Sequence, residues 1–105
     1  MTTPVSMYAR TFDEFNKYWS KRPMDNQIFL QTQKNWFNDM LQAQGHLFLN
    51  EVYDALGMKR SREGAIMGWL KDGKGDGYVE LEIKEIENGA LLIDFNVDGV
   101  IYNNI

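Results

Sequence analysis

The chain predicts an α+β fold, with two to three helices packed on one face of a three-stranded antiparallel β-meander. Three observations predict it. Apolar residues recur at helical spacing over 26–44, ending at Gly45. Residues 77–97 hold one cleanly alternating stretch and a partner with apolar residues at 91, 93, 95 and 97, on either side of Asn88-Gly89. The 105 residues suffice for one hydrophobic core and not for two. The expected organisation is one domain, 1–105, with 1–10 as a flexible N-terminal arm.

Composition narrows the function classes. Hydrophobic residues make up 44% and aromatics 13%, which is globular rather than disordered material. There is no cysteine, so disulfides, thiolate metal sites and thiol nucleophiles are excluded together. No apolar run approaches the roughly 20 residues of a membrane span, and no secretory leader opens the sequence, so a cytoplasmic protein without membrane attachment is expected. The net charge of −4 is unevenly spread. Residues 1–71 carry 9 Lys+Arg against 7 Asp+Glu, and residues 72–105 carry 2 against 8. That balance argues against direct nucleic-acid binding, which needs Lys and Arg to displace counterions, and it permits a basic protein partner.

The elements follow in order. Thr11-Phe-Asp-Glu14 matches a capping box and predicts a first helix with Phe12, Phe15 and Trp19 on one face, stopping near Ser20 ahead of Pro23. Asp25 is placed to cap a second helix over 26–44. Its expected inner face is Ile28, Phe29, Trp36, Phe37, Met40 and Leu41, and its wet side Gln27, Gln31, Lys34, Asn38 and Gln42. Residues 46–49 form a brief apolar strand. Asn50 caps a third helix with Val52, Tyr53 and Leu56 inward and Gly57 as terminator. An exposed basic loop, 59–64, leads to the first meander strand, 66–71, whose open edge makes self-association plausible.

Lys71-Asp-Gly-Lys-Gly-Asp-Gly77 reads as a flexible hairpin loop. As a calcium loop it places Lys74 where a carboxylate or amide is needed and Ile83 where the closing Glu belongs. As a phosphate cradle it lacks the following helix. The last two strands, 77–86 and 90–97, send Val79, Leu81 and Ile83 and then Leu91, Ile93, Phe95 and Val97 to one face. Opposed residues of an antiparallel pair share a face, so Ile83 must meet Ile93 and Leu81 must meet Phe95. The loop is then Glu87-Asn88-Gly89, with Gly89 left-handed, because a two-residue turn would set Ile83 against Asp94.

That register sets Glu82 opposite Asp94 and Glu80 opposite Asn96 on the outer face. The ordinary reading is a solvated face. The functional one is an acidic patch of Glu80, Glu82 and Asp94 offered to a basic partner. Lys59, Arg60 and Arg62 make a second, basic candidate surface. Catalytic chemistry finds little support. His46 is the only histidine, no serine has a histidine and carboxylate nearby in sequence, and exposed paired acids keep near-ordinary pKa values. No enzyme, cofactor or metal site is expected.

Leu49-Asn-Glu-Val-Tyr-Asp-Ala-Leu-Gly57, Gly68-Trp69 and Leu92-Ile-Asp-Phe-Asn-Val97 together resemble an uncharacterised family of small bacteriophage and prophage proteins. The resemblance covers about residues 26–98 and rests on a moderately specific motif. It implies phage origin, an α+β fold and work inside an infected bacterium. Some relatives carry an apolar, membrane-like N-terminal stretch that this sequence lacks. The first expectation is a small accessory protein that binds another protein, host or phage, such as an inhibitor of a host defence system acting through the acidic face. A minor virion or assembly component and a small metal-dependent hydrolase are the alternatives.

Overall fold

The computed structural model describes residues 6–105. The chain runs β1 (Arg10–Phe12), α1 (Pro23–Gln44), β2 (His46–Phe48), α2 (Leu49–Ala55), β3 (Met67–Leu70), β4 (Leu81–Glu85), β5 (Leu91–Phe95) and β6 (Gly99–Val100). The class is α+β, but the single meander is not what forms. The described residues form two antiparallel three-stranded sheets, ordered β1-β5-β4 and β2-β3-β6. The segment expected to lead the meander, β3, pairs with β2 and β6 rather than with β4. The glycine-rich stretch 71–77 therefore joins two sheets instead of closing a hairpin.

The first expected helix is absent. Thr11 and Phe12 extend as β1 along β5, with Phe12 facing Leu91. Beyond it, short polar side chains outcompete helical hydrogen bonding. The Phe15 amide donates to Asp13 Oδ1 at 3.0 Å and the Tyr18 amide to Asn16 Oδ1 at 2.8 Å. Asn16 Nδ2 donates to the carbonyl of Leu56, tying these turns to the end of α2. Phe12 and Trp19 pack together as expected, but Phe15 is 88% exposed. The part of the supposed arm that is described is anchored. Ser6 donates to Asp94, and the buried Tyr53 hydroxyl donates to the Tyr8 carbonyl at 2.8 Å. Residues 1–5 lie outside the described residues.

Helix α1 begins at Pro23, in the first-turn position where a missing N–H costs nothing. Asp25 lies in that first turn instead of capping it. Gly45 closes the helix at φ +83°, its N–H on the Leu41 carbonyl, as the sequence required. The inner line is Asn26, Leu30, Phe37 and Leu41. Ile28 and Trp36, expected inside, stand 59% and 51% exposed. The apolar positions of this helix span more than one face: Leu30, Phe37 and Leu41 are buried, and Phe29 and Met40 pack part-buried against the core beside them. Asn38, expected to be wet, bridges to Val79 through both backbone groups, at 2.7 and 3.0 Å.

Helix α2 opens two residues early, with Phe48 in place of Asn50 at its N-cap and Glu51 accepting the Phe48 amide. Asn50 does not cap it. Its side chain exchanges two hydrogen bonds with the Ser61 backbone and pins the basic loop. Val52, Tyr53 and Leu56 are buried, and Gly57 follows at φ +73°.

Sheet register matches the parity argument, with Leu81 opposite Phe95, Glu82 opposite Asp94 and Ile83 opposite Ile93. The Ile86 amide donates to the Ala90 carbonyl across Glu87-Asn88-Gly89, and Gly89 is left-handed at φ +78°. Asn88 is left-handed as well. The paired ladder starts at Leu81, so Val79 and Val97 stand outside it. Ile83 departs from expectation: it is 42% exposed while Ile93 is fully buried, because β5 is central and β4 is an edge. The core gathers Phe12, Leu30, Phe37, Tyr53, Trp69 and Ile93 from both sheets and both helices.

Candidate protein-binding surface

The three acidic candidates share a strand pair but do not make an open patch. Glu80 forms an ion pair with Lys34 of α1 at 3.2 Å. Asp94 accepts the Ser6 amide at 2.8 Å, a short bond from the Ser6 hydroxyl, and the Phe95 amide. Burial alone would raise the Asp94 carboxyl, but these donors and the charge of Lys84 hold it below the usual carboxylate value. Glu82 is exposed and has no hydrogen-bond or ion-pair partner among the described residues. Of the basic candidates, Arg60 grips Asp54 with two nitrogens, at 2.5 to 3.1 Å, which holds that carboxyl below its ordinary value. Lys59 and Arg62 project into solvent on either side of it.

A groove that sequence reasoning missed lies beside this pair. Tyr18, Phe29, Trp36 and Met40 form its apolar walls, and Glu51, Asp54 and Arg60 its polar rim, around about 600 Å³. Tyr18 stacks on Phe29 at 5.1 Å, and Phe29 stacks in turn on the buried Phe12 at 5.8 Å. The far wall is α1, whose position is fixed by the fully packed Phe37 and Leu41. The groove is thus a rigid aromatic surface with its charges at one side. The available signal was the surplus of apolar residues on α1, more than one helix face can bury.

Elsewhere, a second cavity of about 670 Å³ lies along the glycine-rich loop, between Leu70, Gly73, Gly75 and Asp98. Asp98 accepts the Leu70 amide at 2.9 Å there, and burial nevertheless pushes its carboxyl up. A Cβ on Gly75 would lie 1.9 Å from Asp98 Oδ1, so this loop is closed over its own carboxylate. The carboxylates of Asp72, Asp76 and Asp98 do not meet as a metal cluster, and no other such group of three or more ligating side chains exists among the described residues. His46 is half-buried against the edge of Phe48, 5.6 Å between centroids. No helix is long and apolar enough to cross a membrane among the described residues.

With this geometry in place, the comparisons add one fact: the chain belongs to a family of unknown function (DUF6353), matched over residues 1–105. No curated protein and no solved structure matches it.

Proposed function

We propose that the protein is a non-enzymatic binding module, encoded by a phage or prophage, that docks another protein in the cytoplasm of the infected bacterium. The observation that carries the docking is the half-exposed Trp36 in the wall of the Tyr18–Phe29–Met40 groove. Aromatic and Met side chains held in place by a packed scaffold are what protein interfaces concentrate their binding energy on. The phage setting is supported by the resemblance of the 49–57, 68–69 and 92–97 motifs. The acidic sheet face gives weaker support, since Glu80 and Asp94 already spend their charges within the chain.

The groove suits an aliphatic side chain on a partner segment that also carries a basic residue, set against Glu51, since Asp54 already pairs with Arg60. A host defence protein would be disabled if that segment belonged to its working surface. The test is a photo-crosslinking residue placed at Trp36, with the same residue at exposed Gln42 as control, in infected cells. One adduct formed from position 36 alone, and abolished by Met40→Asp, is expected. Equal adducts from both positions, or one indifferent to Met40→Asp, would remove the groove as the docking site. Recovery of the adduct in purified particles at stoichiometric amounts would move the protein to a virion role.

A further inference from the structure

We propose that strand β4 is a homodimer interface, pairing antiparallel with β4 of a second copy about a two-fold axis through Ile83. The inference is independent of the groove.

It starts from backbone accounting. Ile86 N–H bonds the Ala90 carbonyl. In an antiparallel ladder hydrogen-bonded pairs alternate, so Glu82 and Lys84 also direct their backbone groups at β5. Leu81, Ile83 and Glu85 then aim theirs away from it, at the open side of the edge strand. The Leu81 amide is taken by Glu80 Oε1 at 3.1 Å. Among the described residues, the groups of Ile83 and Glu85 and the Leu81 carbonyl have no strand to meet. An edge of this kind is a template for another strand.

Charge then selects both the occupant and the register. An antiparallel self-pairing must set outward-directed residues against each other, and only centres at 82, 83 or 84 pair more than one residue of β4 with β4 of the other copy. Centred on Glu82 it opposes two glutamates, and centred on Lys84 it opposes two lysines. Centred on Ile83 it sets each Glu82 against Lys84 of the other copy, twice, by symmetry. Opposite charges directly across a ladder stabilise and like charges destabilise. The Ile83 side chain, 42% exposed at this edge, meets its own copy at the axis and loses water. Ile83 exchanges two backbone hydrogen bonds with its counterpart, and each Glu85 amide reaches Leu81 of the other copy. The result is one continuous six-stranded sheet, β1-β5-β4 followed by its inverse. A strand edge buries little area, which places the dimer in the weak, concentration-dependent class.

The experiment is sedimentation equilibrium of the full chain across a concentration series, with four proteins. Wild type is expected to dimerise, less so at high salt. Lys84→Glu and Glu82→Lys, each alone, are expected to be monomers, because every cross-axis pair becomes like-charged. The double exchange Glu82→Lys with Lys84→Glu is expected to dimerise again. A mixture of the two single variants is expected to form a heterodimer, since one chain then offers two acids and the other two lysines. Circular dichroism confirms that each variant is folded, and the rescued pairings separate lost contact from lost fold. A wild type that stays monomeric throughout, or a dimer indifferent to all these exchanges, overturns the proposal. The second outcome would point to another face, such as the exposed Ile28–Trp36 side of α1.

Discussion

Asn96 ties the two sheets together, and removing its side chain tests how. Its Oδ1 accepts Trp69 Nε1 at 2.9 Å and the Glu80 amide at 2.7 Å, while its Nδ2 donates to the Tyr78 carbonyl and to Asp76. Trp69 belongs to β3 and is fully buried. In Asn96→Ala its indole N–H loses its acceptor and water cannot replace it, at about 1–3 kcal/mol. The other three bonds lie near the surface and rehydrate, leaving a net loss at the low end of about 0.5–1.5 kcal/mol each. The expected destabilisation is about 2.5–4.5 kcal/mol, out of the roughly 5–15 kcal/mol available to such a domain. At about 4–8 °C per kcal/mol this lowers Tm by on the order of 10–35 °C. Urea unfolding followed by tryptophan fluorescence measures it. In a Trp69→Phe background there is no indole N–H to orphan, so the same Asn96→Ala step should cost about 1–2 kcal/mol less. Equal costs in both backgrounds would refute the claim that this buried bond joins the sheets.

Four further outcomes are expected. Gly68→Ala would place a Cβ 1.9 Å from the Leu47 carbonyl oxygen and so force β2 from β3. Its cost should reach or exceed the about 1–3 kcal/mol of an overpacked core, by urea midpoint. Gly89→Ala, with open space but φ +78°, should lose only about 1–2 kcal/mol. Asp94, whose folded pKa is depressed, contributes stability that is fully present above its unfolded pKa and is lost as pH falls through the folded one. The Tm difference between wild type and Asp94→Asn should therefore be largest near neutrality and close as pH drops below the ordinary carboxylate range. Neighbours on α1 should separate cleanly in denaturant: Phe37→Ala costs about 3–5 kcal/mol, while half-exposed Trp36→Ala stays within about 1 kcal/mol and loses partner binding instead.

The parts of the fold that the sequence revealed are those where a local pattern allowed one solution. Parity alone set Ile83 against Ile93 and required the three-residue loop, and Gly45 had one available role. The second sheet was hidden because β2 and β6 are only 3 and 2 residues long and β3 contains Gly68, too little chain to show alternation. At 11–14, one set of residues satisfies both a capping box and the turn chemistry that forms, and pairing with distant Leu91 decides between them. The acidic face looked free because its partners are remote: Lys34 lies 46 positions from Glu80, and Ser6 lies 88 from Asp94. Periodicity showed that α1 had an apolar side without showing which one faced in.

That ambiguity in α1 bears on function. Leu30, Phe37 and Leu41 already fill the space beneath the helix to between 0 and 1% exposure. Rotating α1 to bury Ile28 and Trp36 would expose those three and break the Asn26–Ser20 and Asn38–Val79 bonds that hold both of its ends. The exposed apolar side chains are therefore not a core that failed to close. They remain on the surface because the inner line is complete, at a cost in solubility that the fold itself does not require. The same holds at β4, where a charge in place of Ile83 would protect the edge as Lys and Glu do elsewhere on such strands. An isoleucine flanked by one acid and one base leaves the edge open to a single self-complementary register. Both features are where the proposed contacts with other chains would form, through an aromatic wall at α1 and a self-complementary edge at β4.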